Sequence, residues 1–139
     1  MLKNVKPYSM YVLDAIKCIK QHIDANPFHY KTAAELLNHL SAPNRNAVEK
    51  AFKDLYGAGI KEYQIRQRLA ASKNFLEQGM TKKQVAYKCL YRTQSAFAAA
   101  FRKQFKMTPT EWQTMYNSIT WNNESIFDNN HASFDNNRA

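Results

Sequence analysis

Glycine and proline are scarce in this chain, at three and four of 139 residues. A fold rich in tight β-turns needs more of both, so the shortage favours helices joined by short connectors. Cysteine is nearly absent as well. Cys18 and Cys89 stand far apart, neither in a CxxC pair, and read as small buried hydrophobes in a reducing compartment. No stretch approaches the ~18 consecutive apolar residues of a membrane span. The N-terminus, MLKNVKPYSM, lacks the apolar core of a secretory signal, so a cytoplasmic location is expected. Acidic residues are also in short supply, eleven against twenty Lys and Arg, which leaves a net charge of +9.

That charge is unevenly placed. Residues 1–113 hold nineteen basic and eight acidic residues, a net +11, while 114–139 are weakly acidic at −2. A basic body of this kind suits a polyanionic partner. The 45% hydrophobic content is ordinary for a globular core, so the chain as a whole is expected to fold.

Apolar residues recur with helical period almost throughout. Val12, Ile16, Ile19 and Ile23 make one stripe of a first helix over about 9–25, ended by Asn26-Pro27. Thr32 and Glu35 have capping-box spacing and open a short second helix with Leu36, Leu37 and Leu40 inward. Asn44 caps a third, which buries Val48, Ala51, Phe52 and Leu55. A long fourth helix over about 60–78 carries Ile65, Leu69, Ser72 and Leu76 on one side and stops at Gly79. Thr81 and Gln84 repeat the box before a fifth helix with Val85, Ala86 and Cys89 inward. A sixth buries Phe97, Ala100, Phe101 and Phe105. Thr108-Pro109 and Glu111 open the last, with Trp112, Met115 and Tyr116 toward the core. Seven Asn among the last 23 residues then mark 117–139 as a flexible tail, though its Trp121, Ile126, Phe127 and Phe134 leave room for docking.

Two parts of this pattern superimpose at a constant offset of 49. Thr32 falls on Thr81, Glu35 on Gln84, Leu36 on Val85, Leu37 on Ala86 and Leu40 on Cys89; Asn44 falls on Thr93, Val48 on Phe97, Phe52 on Phe101 and Lys53 on Arg102. Caps meet caps and core positions meet core positions without a gap, so a short helix, a turn and a longer helix are encoded twice. The short connector forces a steep crossing rather than bundle packing and pushes the first turns of the longer helix outward. The expected architecture is all-α. Seven helices form two helix-turn-helix units, about 9–57 and 80–116, joined by the long helix into a domain over 1–116.

The second unit resembles the AraC/XylS family of bacterial transcription regulators through Val85-Ala86, Leu90-Tyr91, Ser95, Phe97, Phe101-Arg102-Lys103, Phe105, Thr108-Pro109 and Trp112. The connecting helix matches through Gly57, Tyr63, Arg68-Leu69, Ser72 and Phe75-Leu76, and the likeness covers about 9–116. It implies a stand-alone, monomeric, sequence-specific DNA-binding regulator, an activator by family habit, with RNA polymerase as a candidate partner. Ser41, Leu90 and Lys106 replace glycines usual in the family, and those turns are expected to take different backbone paths.

Helix-turn-helix geometry points the first two turns of helices three and six at base edges. Arg45, Asn46, Glu49 and Lys50 are the candidate readers in the first unit, and Gln94, Ser95 and Ala98 in the second, where Ala96 and Ala99 are neighbours. Arg and Lys suit guanine, Asn adenine, and Glu the amino group of cytosine, whereas alanine offers only contact with thymine methyls. The first unit is therefore expected to discriminate and the second mainly to grip. Candidate phosphate contacts are Asn44, Lys53, Arg92, Thr93 and Arg102. Cys18 and His22 lie i, i+4 but lack a second pair to complete a metal site, and no nucleophile elbow or phosphate loop occurs. No enzyme, metal or cofactor is expected. An RNA-binding module and a protein-interaction adaptor on a degenerate helix-turn-helix stay open as alternatives.

Overall fold

Among residues 8–42 and 44–120, which the computed structural model describes, the chain forms helices and no strands. They are α1 (Met10–Ala25), α2 (Ala33–His39), α3 (Arg45–Tyr56), α4 (Ile60–Glu77), α5 (Lys82–Lys88), α6 (Gln94–Phe105) and α7 over 109–120. The last helix runs four residues past the expected start of the tail, and the rest of that segment lies outside the described residues.

Local chemistry explains the boundaries. The Ser9 hydroxyl accepts from the Val12 N–H at 3.2 Å and starts α1. Asn26 ends it, its side chain accepting from the Phe28 N–H at 3.0 Å across Pro27. Complete capping boxes open α5 and α7: Thr81 and Gln84 each satisfy the other's N–H, as do Thr108 and Glu111. At α2 the box is only half formed. Thr32 caps the Glu35 N–H at 3.1 Å, but the Glu35 carboxylate reaches the N–H of Lys31 instead.

The 49-residue offset holds in three dimensions. Adding it to the bounds of α2 and α3 gives those of α5 and α6. It also relates the left-handed residues, Ser41 (φ 50°) to Leu90 (φ 68°) and Gly57 (φ 79°) to Lys106 (φ 65°). Ser41 and Leu90 end α2 and α5 in the same way. Ala42 N–H donates to the Leu37 carbonyl and Tyr91 N–H to that of Ala86, with an inner bond from each left-handed residue. This closure requires positive φ at the residue after the cap. The expectation that these turns deviate because glycine is missing is therefore wrong. The backbone keeps the glycine-like path and bears the cost.

Two cores form. Val12, Ile16, Ile19 and Ile23 of α1 pack with Leu36, Leu37, Val48, Ala51, Phe52 and Ile60. The second core joins Leu69 and Leu76 to Val85, Ala86, Cys89, Phe97, Phe101 and Trp112. Helix α4 thus contributes its first turn to one core and its second half to the other. Between them lie two of its three buried polar residues, Gln64 and Arg68; the third, Ser72, is between Leu69 and Leu76. Arg68 donates to the carbonyls of Pro27 (2.7 Å), Tyr30 (2.6 Å) and Lys31 (2.9 Å), and Gln64 also donates to Tyr30. The α1–α2 connector is thereby fastened to the centre of the joining helix. Two expected core residues fall outside: Leu55 is 38% and Met115 43% exposed.

Candidate nucleic-acid interface

A side chain can read DNA only if its helix turns it outward while the opposite face is held, and α3 and α6 meet both conditions. Their inner faces are fixed by Val48 and Phe52, and by Phe97 and Phe101, all fully buried. Their first turns are held by matched caps. The Asn44 side-chain oxygen accepts from Ala47 N–H at 3.2 Å, and the Thr93 hydroxyl from Ala96 N–H at 3.0 Å. Both helices therefore present the positive end of a twelve-residue dipole, a favourable position for phosphate.

On α3, Arg45, Asn46, Lys50 and Lys53 are exposed and Glu49 is half-buried. On α6 and its approach, Arg92, Thr93, Gln94, Ser95 and Arg102 are exposed, as are Ala96 and Ala99, while Ala98 is half-buried. Capping occupies one acceptor on Asn44 and one on Thr93. The Asn44 amide N–H groups and the Thr93 hydroxyl hydrogen stay available as donors. Arg92, Thr93 and Gln94 share a shallow depression of about 490 Å³ with Lys83, Gln84 and the exposed Tyr87 of α5. Glu49 and Lys53 lie instead on an open valley of about 980 Å³ between the two units, whose other wall is the C-terminal half of α6. Arg102 belongs to neither.

Sequence reasoning passed over the valley's remaining basic residues, Lys61, Arg66, Lys103 and Lys106. The repeat held a signal for two of them. Lys103 takes the position equivalent to Asp54, and Lys106 that of Gly57, so the second unit is positive where the first has a carboxylate and a glycine. Among the described residues, no group of three His, Cys, Asp or Glu side chains is placed to hold a metal ion. Cys89 is enclosed, and burial pushes its thiol up to about 12 despite the nearby charges of Arg68 and Lys88. It is no nucleophile near neutral pH. No helix among the described residues is long and apolar enough to cross a membrane.

Comparison with known proteins finds the same kind of domain elsewhere. A family model described as a helix-turn-helix domain matches residues 41–115. A probable transcriptional regulator, LumQ of Photobacterium leiognathi, is 29% identical over 112 residues, 80% of this chain. The match spans 42% of that relative's own length. A crystal structure of a probable AraC family transcriptional regulator from Rhodopseudomonas palustris CGA009 superimposes with a TM-score of 0.64 at 25% identity. It covers 73% of this chain and 96% of that one.

Proposed function

This chain belongs to the AraC-type helix-turn-helix family of transcription regulators, and from that premise we propose that it reads a specific duplex sequence and acts as a monomeric activator. The observation that carries this reading is the pair of residue-matched units, each holding a capped helix with its first turns exposed. In this reading α3 enters one major-groove segment and α6 the next. The 18 residues of α4 span roughly 27 Å at about 1.5 Å per residue. With side-chain reach this suits recognition elements one turn, about 34 Å, apart, with modest bending of the duplex.

The units contribute unequally. Arg45, Asn46, Glu49 and Lys50 supply donors and an acceptor for base edges, whereas Gln94, Ser95 and Ala98 offer few. Asn44, Lys53, Arg92, Thr93 and Arg102 take phosphates. Activation further requires contact with the transcription machinery, and RNA polymerase is the proposed partner.

Selection from a randomised duplex pool, followed by salt titration of the winning sequence, tests the reading. A recovered motif, sharper on one half, with a steep fall of log affinity with log salt is expected. Lys50→Ala should then relax base preference. Arg102→Ala should weaken all duplexes alike and flatten the salt slope by about one. If both variants change base preference equally, the division of labour is wrong; if no duplex is retained, the DNA-reading proposal itself fails.

A further inference from the structure

We infer that the valley between the two units is a backbone-binding site for the stretch of duplex that lies between the two major-groove segments. The inference rests on the DNA-reading proposal above and adds a third contact region to it. The walls of the valley are the two helices proposed to read DNA: Glu49 and Lys53 on α3, and Ala100, Lys103 and Gln104 on α6. Its floor is the first half of α4, from Ile60 to Leu69. Glu49 and Lys53 stand both on the outward face of α3 and on the valley wall, so the two surfaces are continuous.

A duplex engaged by two helices one turn apart must turn its minor groove, with a sugar-phosphate strand on either side, toward the protein between them. What lies between them here is strongly basic. Lys53, Lys61, Arg66, Lys103 and Lys106 face two carboxylates, Glu49 and Glu62. Glu62 is engaged by Arg66 at 3.1 Å. Among the described residues, none of the four lysines lies within ion-pair distance of a carboxylate. The apolar floor, with Ile65 and Leu69, suits the C–H surface of deoxyribose rather than a base edge. The composition of α6 points the same way. Around its reading positions stand three alanines, Ala96, Ala98 and Ala99, while Lys103 faces the valley and Lys106 stands at its end. The second unit therefore also holds DNA from its inner side.

The test uses the full chain, the selected duplex and the double variant Lys61→Gln/Lys103→Gln, both positions being exposed so that the fold is preserved. The variant should keep the wild-type base motif and flatten the salt slope by about two. Its loss of affinity should be roughly tenfold larger at 50 mM than at 200 mM salt. Neutral methylphosphonates placed between the half-sites should weaken the wild type more than the variant. The Lys61→Arg/Lys103→Arg variant should restore the slope. An unchanged slope with the motif retained overturns the valley site and leaves the DNA-reading proposal standing. A shifted base motif also overturns it, because the valley would then read bases. A wild type that binds no duplex overturns the proposal beneath it.

Discussion

Ser41, Leu90 and Lys106 hold left-handed backbone angles with a side chain attached. Such a conformation costs an L-residue roughly 1–2 kcal/mol, and glycine recovers this less the ~0.5–1 kcal/mol of freedom it loses on folding. All three side chains are exposed, so little packing would be forfeited. Ser41→Gly, Leu90→Gly and Lys106→Gly should each raise stability by about 0.5–1 kcal/mol in urea denaturation; a loss at any site would mean its side chain outweighs the strain. The sequence showed that glycine was missing but not that the hydrogen-bond closure after α2 and α5 leaves the backbone no other path. A second residue-scale expectation concerns Cys89. Its folded pKa, about 12, lies above the ~8.5 of an exposed thiol. The stability it contributes is complete below about pH 8.5 and is lost as pH rises toward 12. Cys89→Ala should remove part of that alkaline decline. In the native protein, thiol reagents should modify the half-buried Cys18 well before Cys89.

At the scale of elements, the joining helix is tied to the first unit by polar groups that periodicity does not reveal. The stripe of Leu69, Ser72 and Leu76 was legible in the sequence, as was the stop at Gly79. The roles of Gln64 and Arg68 were not, because a pattern of apolar spacing treats an arginine as surface. Arg68→Met should cost about 3 kcal/mol, since it leaves the Pro27 and Lys31 carbonyls without this charged donor. Chemical denaturation measures it, and a change under 1 kcal/mol would show that water replaces the guanidinium without penalty. Nearby, Tyr63 donates to Asp24, which also pairs with Lys20 at 2.9 Å. Partial burial works to raise the Asp24 pKa, but these two hydrogen bonds and the Lys20 charge together hold it below the ordinary value. Its contribution is present above about pH 4 and is lost as pH falls through the depressed folded value. Asp24→Asn should accordingly flatten the acid limb of the stability curve. Leu55 shows another limit of pattern reading: the spacing identifies a face but not how far the covering partner extends.

At the scale of the molecule, two apolar cores share one helix. The repeat, its caps and nearly all of both cores could be read from the sequence, because each depends on residues close together in the chain. The valley could not, since it arises only when α3, α4 and α6 meet. Phe52→Ala and Phe101→Ala should each cost about 3–5 kcal/mol. Hydrogen exchange should show the first loosening α2 and α3 more than α5 and α6, and the second the reverse. Uniform loss of protection in both variants would show that α4 couples the cores into a single cooperative unit.

The offset of 49 makes the two units alike in backbone, while their outward residues share almost nothing. Regulators built from two identical subunits carry a two-fold axis, and the DNA they prefer is palindromic. No rotation maps this chain onto itself. Seated on DNA as proposed, it would point along the duplex like an arrow, with α3 at one end and α6 at the other. Its binding site would then carry a heading as well as an address, and reversing that site beside a gene would turn a different side of the protein toward the start of transcription.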